Sequence, residues 1–221
     1  MQFTEWEPIY LEIVQEFGFS RQKDEESAAI LDSLLAGKEE CDDICLERIV
    51  GREATVCGDG PNLDSDLDAL SPRGTLISAD GATSTLMHRR LWPDIIVTDL
   101  DGEVEPQLMA NGAGAVVVIL AHGDNTARVK EIVPRFRGPI VGTTQSTPFD
   151  GRRNYGGFTD GDRAVELARH FGARRVNLLG FDFENPRRSE GKDLERKRRK
   201  LKWARKIIFD RNPTHVVLWT P

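Results

Sequence analysis

The sequence PDIIVTDLDG, residues 93–102, joins a short apolar run to a group of carboxylates. Residues 95–97 are β-branched and consecutive, which is typical of a strand covered on both faces of a sheet. Asp99 and Asp101 follow this run directly, and two carboxylates so close together repel each other unless a cation lies between them. The stretch therefore predicts a buried parallel strand whose carboxyl end carries a cation site.

The composition of the chain limits the class of protein. Its 221 residues are enough for one sizeable hydrophobic core. The formal net charge of −6 argues against a protein whose main role is to bind nucleic acid, which usually needs a basic surface. No apolar run approaches the roughly 18 residues of a membrane span, and residues 1–17 do not resemble a signal peptide. We therefore expect a cytoplasmic protein with no nucleic-acid or membrane partner.

The three cysteines form neither a disulfide framework nor a zinc-binding pattern. Cys41 and Cys45 stand four residues apart on a predicted helix, and Cys57 ends a predicted strand. We expect all three to be free, buried thiols.

Residues 1–50 are predicted to form an N-terminal helical segment. Apolar residues between positions 4 and 17 recur at helical spacing, and Gly18 ends this run. Ser20 can cap a second helix, and residues 41–50 have a third helical pattern. Since these helices carry no evident chemical motif, we divide the chain into this segment and an α/β catalytic domain, residues 51–221.

From residue 53 onward, short apolar runs alternate with helical patterns. The predicted strands cover residues 54–57, 75–78, 95–98, 115–120, 139–142, 176–179 and 216–219. The predicted helices between them lie near residues 62–70, 82–91, 105–111, 126–135, 161–171 and 192–211. This alternation predicts an α/β fold, with a mostly parallel, doubly wound sheet and helices on both of its faces.

Glycines and polar residues follow six of these predicted strands. The segments are CGDGP (57–61), ADGA (79–82), TDLDG (98–102), AHGDN (121–125), GTTQ (142–145) and GFDF (180–183). Because the carboxyl ends of parallel strands line one edge of a sheet, these segments should converge on a single site. The convergence predicts an enzyme.

Four carboxylates in these segments are candidate Mg²⁺ ligands: Asp80, Asp99, Asp101 and Asp124. Oxygen ligands without neighbouring cysteines suit Mg²⁺, which proteins bind together with substrate phosphates. Any one of these aspartates could instead cap a helix, but their grouping favours a metal site. Asp99, Asp101 and Asp124 are the candidate catalytic residues.

Three other segments could bind phosphate. Gly58 and Gly60 lie between a strand and a helix, so their amide groups could receive phosphate oxygens, and an ordinary tight turn is the alternative. The loop at residues 156–163 brings glycines, aspartates and an arginine to the start of a helix. Residues 187–206 are strongly basic, which fits either a solvated helix face or a surface that covers a triphosphate.

The remaining candidates leave alternatives open. His122 could donate to a phosphate or orient Asp124. The polar segment 143–155 has the irregular character of a substrate loop, in which Thr144, Gln145 and Asn154 could contact a heterocyclic ring. The candidate cofactor-binding residues are Gly58, Gly60, Asn62, Asp80, Gly81, His122, Asn125, Thr144, Gln145, Gly157, Asp160, Asp162, Arg163, Lys197 and Lys200.

With these segments in place, the chain resembles the archaeal 6-hydroxymethyl-7,8-dihydropterin diphosphokinase family, a relative of thiamine pyrophosphokinase. The matching segments are GDGPNL (58–63), ADGA (79–82), PD (93–94) with TDLDG (98–102), AHGDN (121–125), GTTQ (142–145), GGFTDGDRA (156–164) and GFDF (180–183). Their order and spacing agree over roughly residues 51–201.

The resemblance implies transfer of a diphosphate group from ATP to the hydroxymethyl group of a reduced pterin, with Mg²⁺ as cofactor and AMP as the second product. It places ligands for magnesium and nucleotide phosphates at Asp80, Asp99, Asp101 and Asp124. The product would serve tetrahydromethanopterin or folate biosynthesis. The oligomeric state is not decided by the sequence, and a homodimer is possible.

Alternatives from other classes stay open at this point. Residues 95–102 also look like the first motif of haloacid-dehalogenase phosphatases, which would make Asp99 a nucleophile. Against this reaction, Glu103 stands where that superfamily usually has threonine, and the segments around Asp80 and Asp124 would have no role. Asp-x-Asp is also a metal signature of nucleotide-sugar transferases, and a non-catalytic nucleotide-binding module is the third alternative.

Overall fold

A computed structural model describes residues 1–148, 153–187, 193–213 and 216–221 of the chain. Within these ranges the strands are β1 (Glu53–Cys57), β2 (Thr75–Ala79), β3 (Ile95–Thr98), β4 (Val116–Ala121), β5 (Ile140–Thr144), β6 (Arg175–Leu179) and β7 (Val217–Trp219). They form one sheet in the order β5–β4–β3–β2–β1–β6–β7, and every neighbouring pair is parallel. The predicted α/β fold is confirmed, and the order reverses direction at β1, as in a doubly wound sheet.

The helices are α1 (Phe3–Phe17), α2 (Arg21–Leu35), α3 (Asp43–Ile49), α4 (Leu63–Ala69), α5 (Ala82–His88), α6 (Val104–Gly112), α7 (Thr126–Ile132), α8 (Asp160–His170) and α9 (Leu194–Arg205). A 3₁₀ turn, Val133–Arg135, follows α7, and a π-helical turn, Lys206–Asp210, follows α9. None of these helices is long and apolar enough to cross a membrane. Residues 149–152 of the predicted substrate loop and residues 188–192 of the basic segment, which include the predicted start of the last helix, lie outside the described ranges.

Strand β3 shows how the sequence forms a two-sided core. Successive side chains of a strand point to opposite faces of the sheet. Ile95 and Val97 therefore pack with the apolar face of α8, whereas Ile96 packs with α2, α6 and α7. All three side chains are almost completely buried, so the continuous apolar run is explained by helices on both faces.

The N-terminal helices pack against the same sheet. Helix α1 buries Trp6, Ile9, Tyr10 and Ile13 in a cluster that includes Phe158. Helix α2, capped at Ser20 as predicted, contributes to the core above β4 and β5. These contacts place the helical segment directly beside the loops at the carboxyl edge of the sheet, while a domain boundary at residue 50 stays a prediction.

The prediction that all three cysteines are free thiols is wrong for two of them. Cys41 and Cys45 form a disulfide with their Cα atoms 5.4 Å apart, a separation that suits such a bond. The sequence pattern placed both residues on one helix, but α3 begins at Asp43 with Asp42 as its cap, so Cys41 lies before the helix. Cys57 is free and buried, and burial raises the pKa of its thiol to about 12.

Candidate active site

A cavity of about 890 Å³ lies at the carboxyl edge of the sheet. Its wall includes residues from the loops after β1, β2, β3, β4 and β6, the start of α8 and one face of α9. Five of the six strand-end segments that were predicted to converge therefore do so. The sixth, after β5, contributes no described residue to the wall.

An acidic triad occupies the floor of this cavity. Asp80 follows β2, Asp99 follows β3, and Asp160 begins α8. One carboxylate oxygen from each lies within 4.8 Å of the others, so the three can hold one metal ion. Two of the four predicted metal ligands are thus brought together, and Asp160, predicted to bind the cofactor, joins them.

The other two predicted metal ligands lie at the rim. Asp101 is exposed, and its backbone amide donates to Oδ1 of Asp99 at 3.1 Å. Asp124 is exposed as well, and its Oδ2 lies 3.9 Å from a guanidinium nitrogen of Arg196. Both residues line the cavity outside the triad, and their metal-binding role stays a prediction.

Asp80 is held in place by two buried donors. Its Oδ1 accepts from Thr98 Oγ1 at 2.7 Å and from Gln107 Nε2 at 2.9 Å. The backbone of Asp80 has φ +38°, a conformation that few residues other than glycine adopt. Burial and the nearby charges of Asp99 and Asp101 raise the pKa of Asp80 to about 7. Gln107, on α6, was missed because a buried glutamine on a helix gives no sequence signal.

Asp99 faces positive groups instead. His122 Nε2 lies 3.5 Å from Asp99 Oδ2, and Asn125 donates to the backbone oxygen of Asp99 at 2.8 Å. Burial acts to raise the pKa of Asp99, but the hydrogen bond and charge of His122, together with Lys200, hold it below its usual value. The Asp99 carboxyl is therefore ionised at neutral pH, as a metal ligand must be.

Asp160 gives the strongest indication that a cation binds at the triad. Its Oδ1 is buried and has no hydrogen-bond partner among the described residues. Burial and the charges of Asp99, Asp80 and Asp101 raise the pKa of Asp160 well above its usual value. A buried polar atom without a partner is costly, and a cation bound by the triad would remove that cost. Three carboxylate oxygens are a donor set that fits Mg²⁺.

A row of cations on α9 lines the same cavity as the triad. Lys197 and Lys200, both predicted, and Arg196, which was not predicted, line the cavity. Arg196 lies 5.2 Å from the ring centroid of Phe19, and the ammonium group of Lys200 lies 5.5 Å from that of Phe158. Aromatic faces attract cations at such distances. A cavity with carboxylates on its floor and fixed cations on its wall is suited to a metal-bound polyphosphate.

The chain matches the model of the family described as 6-hydroxymethylpterin diphosphokinase MptE-like over residues 33–188. This chain belongs to the MptE-like family. It is 44% identical to the 6-hydroxymethyl-7,8-dihydropterin pyrophosphokinase of Methanothermobacter thermautotrophicus, with 94% of each chain covered. It is 39% identical to the enzyme of that name from Pyrococcus furiosus, with 94% of this chain and 93% of the relative covered. It is 38% identical to the enzyme of that name from Methanocaldococcus jannaschii, with 83% of this chain and 80% of the relative covered.

These relatives agree with the resemblance found in the sequence. They give no support to a phosphatase, a nucleotide-sugar transferase or a non-catalytic module. The matched range, residues 33–188, includes all six strand-end segments, the loop before α8 and the whole acidic triad.

Six predicted cofactor-binding residues of this MptE-like chain are not on the cavity wall: Asn62, Thr144, Gln145, Gly157, Asp162 and Arg163. The structure shows what several of them do. Asp162 accepts hydrogen bonds from Phe158 and Thr159 and completes the capping box of α8. Arg163 is buried and donates to Thr143 Oγ1 at 2.7 Å. Gln145 is buried and donates to Asp24. Sequence spacing brought the loop before α8 to the cavity, but it did not show which of its side chains face inward, and the loop after β5 contributes no described residue to the wall.

Gly58 and Gly60 line the cavity, but their amides are already paired. The Gly58 amide donates to Leu179 O, and the Gly60 amide donates to Gly180 O, both at 2.8 Å. A Cβ atom on Gly60 would overlap Gly180 O. The glycines allow the loops after β1 and β6 to cross in close contact, and phosphate binding at this turn stays a prediction.

Proposed function

We propose that this chain transfers a diphosphate group from ATP to the hydroxymethyl oxygen of 6-hydroxymethyl-7,8-dihydropterin. The observation that carries the proposal is the acidic triad, which shares one cavity with the cations of α9 in a member of the MptE-like family. The names of the three relatives support the same substrate and reaction. We place the product in tetrahydromethanopterin or folate biosynthesis. A cytoplasmic location and a homodimer stay predictions.

The reaction forms one phosphorus–oxygen bond and breaks another. The hydroxymethyl oxygen bonds to the β-phosphorus, the bond from this phosphorus to the oxygen that bridges it to the α-phosphorus breaks, and AMP leaves with that oxygen. The hydroxyl proton passes to a base. Because such transfers need little covalent help, catalysis depends on aligning the alcohol with the β-phosphorus and on neutralising the phosphate oxygens.

Asp80, Asp99 and Asp160 would hold Mg²⁺, and Asp101 and Asp124 at the rim are further candidate ligands. The fit is supported by the close approach of the three carboxylates and by the buried Oδ1 of Asp160, for which the described part of the chain offers no hydrogen-bond partner. When bound, the metal supplies positive charge to the phosphate oxygens and a template for the substrates.

The cations of α9 face the cavity and are suited to bind the phosphate groups of ATP. Arg196, Lys197 and Lys200 would bind and orient the polyphosphate and offset its charge. Phe19 and Phe158 fix the directions of Arg196 and Lys200. The chain itself thus orients the phosphates before the alcohol attacks.

The direct test is an assay with ATP, Mg²⁺ and 6-hydroxymethyl-7,8-dihydropterin. We expect AMP and the pterin diphosphate in equal amounts, and neither product when EDTA replaces Mg²⁺. Thiamine in place of the pterin serves as an acceptor control. Absence of both products would contradict the proposal, and phosphate release from a simple phosphomonoester with a trapped phospho-Asp99 would favour a phosphatase.

Gly102→Ala should weaken the site without changing the fold. A Cβ atom at this position would overlap Oδ2 of Asp80, which Thr98 and Gln107 hold in place. We expect kcat to fall about tenfold or more, since small displacements of a positioned group are costly. Gly112→Ala is the matched control, because a Cβ there meets no atom within 4 Å. Equal kcat values in the two variants would contradict the assignment of Asp80.

A further inference from the structure

Asp24, in the first turn of α2, is a buried carboxylate outside the cavity wall. Only 3% of its surface is exposed. Its Oδ2 accepts from the Tyr10 hydroxyl at 2.7 Å and from Gln145 Nε2 at 2.8 Å. Its Oδ1 accepts from the Gly123 amide at 2.8 Å. One side chain therefore joins α1, the loop after β5 and the loop after β4.

The contact with Gly123 is tight as well as polar. A Cβ atom on Gly123 would lie 2.6 Å from the Cβ atom of Lys23, the residue before Asp24. The loop therefore approaches the first turn of α2 as closely as a glycine permits. Together the hydrogen bond and this contact fix the height of the loop above the sheet.

The same loop carries the groups that touch Asp99. His122 precedes Gly123 and lies 3.5 Å from Asp99 Oδ2. Asn125 donates to Asp99 O at 2.8 Å, and its Oδ1 accepts from the His122 amide at 2.9 Å. The loop is closed on itself by these bonds, so a shift at Gly123 moves His122 with it. A continuous path of contacts thus runs from Asp24 to a member of the acidic triad.

We propose that Asp24 is a positioning residue for this site, through which the N-terminal helical segment sets the place of His122 beside Asp99. The kinetic test of this proposal rests on the proposed function, because it measures the diphosphate transfer. An asparagine or alanine at position 24 could not accept all three donors, and unpaired buried donors favour movement of the segments that carry them. A misplacement of about 1 Å in a catalytic site can cost about 100-fold in rate.

The kinetic test compares Asp24→Ala with Tyr10→Phe. Asp24→Ala removes the acceptor of the Gly123 amide, whereas Tyr10→Phe removes one donor to Oδ2 and leaves the Gly123 bond in place. We expect kcat to fall about 10- to 100-fold in Asp24→Ala, with KM for ATP and pterin within about threefold. In Tyr10→Phe we expect kcat within about twofold of the wild type. Equal losses in both variants would overturn the proposal, because they would indicate general loosening of the helical segment.

The spectroscopic test does not depend on activity. The chain has four histidines, so their imidazole NMR signals can be separated, and His122→Gln assigns the one of interest. We expect the His122 signals to shift at fixed pH in Asp24→Ala, while those of His88 and His170 stay in place. Unmoved His122 signals would overturn the proposal. An inactive wild type would contradict the proposed function and leave this measurement valid.

Gly123→Ala covers the case in which Asp24→Ala does not fold. The added methyl group must push the loop away from Lys23, yet it removes no hydrogen-bonding side chain. We expect the same shift of the His122 signals and a fall in kcat of about tenfold or more. A folded Gly123→Ala protein with wild-type kcat and unmoved His122 signals would overturn the proposal.

Discussion

Asp99→Asn is expected to lower kcat about 10²–10³-fold and leave the fold intact. Losses of this size follow the removal of one group that stabilises developing charge. Burial acts to raise the pKa of Asp99, but His122 and Lys200 outweigh this effect and hold the pKa below its usual value. Asp99 would therefore bring a full negative charge to a bound cation. Asparagine has the same shape and no charge. Steady-state kinetics and Mn²⁺ binding, followed by electron paramagnetic resonance, measure the two consequences separately.

Asp94→Asn is the matched control, because the same substitution is made at the other end of β3. Asp94 Oδ2 accepts from the Leu76 amide at 2.8 Å, at the amino end of the strand and away from the cavity. We expect wild-type kcat and Mn²⁺ affinity, with a loss of about 1 kcal/mol in the free energy of unfolding. If Asp99→Asn kept wild-type Mn²⁺ affinity, Asp99 would not be a metal ligand.

Asp160→Asn is expected to remove activity and also to stabilise the metal-free protein. Burial and the charges of Asp99, Asp80 and Asp101 raise the pKa of Asp160, which means that its ionised form opposes folding when no cation is present. A neutral side chain of the same shape avoids that cost. At pH 8 in EDTA we expect Tm to rise by about 2–12 °C, from a relief of about 1–3 kcal/mol. Activity should fall at least about 100-fold.

The stability difference between the wild type and Asp160→Asn should depend on pH. The Asp160 carboxyl has a higher pKa in the folded protein than in the unfolded chain, so the unfolded chain loses its proton first as the pH rises. The wild type therefore loses stability relative to Asp160→Asn above about pH 4, and the two proteins should be equally stable below it. Thermal unfolding in EDTA between pH 4 and pH 8 measures the difference. A constant Tm difference across this range would contradict the explanation.

Asp162→Asn and added Mg²⁺ are the two controls for Asp160. Asp162 lies on the same helix, and burial raises its pKa as well. Its two oxygens, however, accept from the Phe158 and Thr159 amides. Asparagine has one acceptor oxygen and would leave one of these amides unpaired, so the replacement should lower Tm. Mg²⁺ should raise the Tm of the wild type, since a ligand that binds only the folded state stabilises it. The rise should be much smaller in Asp160→Asn. An equal rise in both proteins would exclude Asp160 as a ligand.

The fold was largely predictable because its signals are local. The run at residues 95–97, followed by Asp99, predicts a buried strand that ends at a site, and the structure contains that strand with the same bounds. Glycine and serine at positions 18 and 20 predict where α1 ends and α2 is capped, and both are confirmed. Each of these features depends on a few neighbouring residues, whose backbone preferences and burial are visible in the sequence.

The site was predictable only in part, because side-chain direction depends on distant segments. Asp160 and Asp162 stand two residues apart in one helix turn, yet Asp160 joins the metal site and Asp162 caps the helix. Gly60 lies between a strand and a helix, where an amide could receive phosphate, but its amide pairs with Gly180, 120 positions away. The disulfide of Cys41 and Cys45 depends on α3 starting two residues after Cys41. None of these outcomes is set by local preference.

The residues alone are enough to predict the parallel α/β sheet, the edge at which its polar loops meet, and the grouping of carboxylates and cations at that edge. Periodicity and strand-end composition are enough for this, because parallel strands must end together. The folded chain, by contrast, is needed to see that Asp80, Asp99 and Asp160 form the triad, and that Asp24 joins the N-terminal helices to the loop beside Asp99. The physical reason is that metal ligation and buried hydrogen bonds require atoms within a few ångströms, and chain packing alone brings residues so far apart in sequence to that distance.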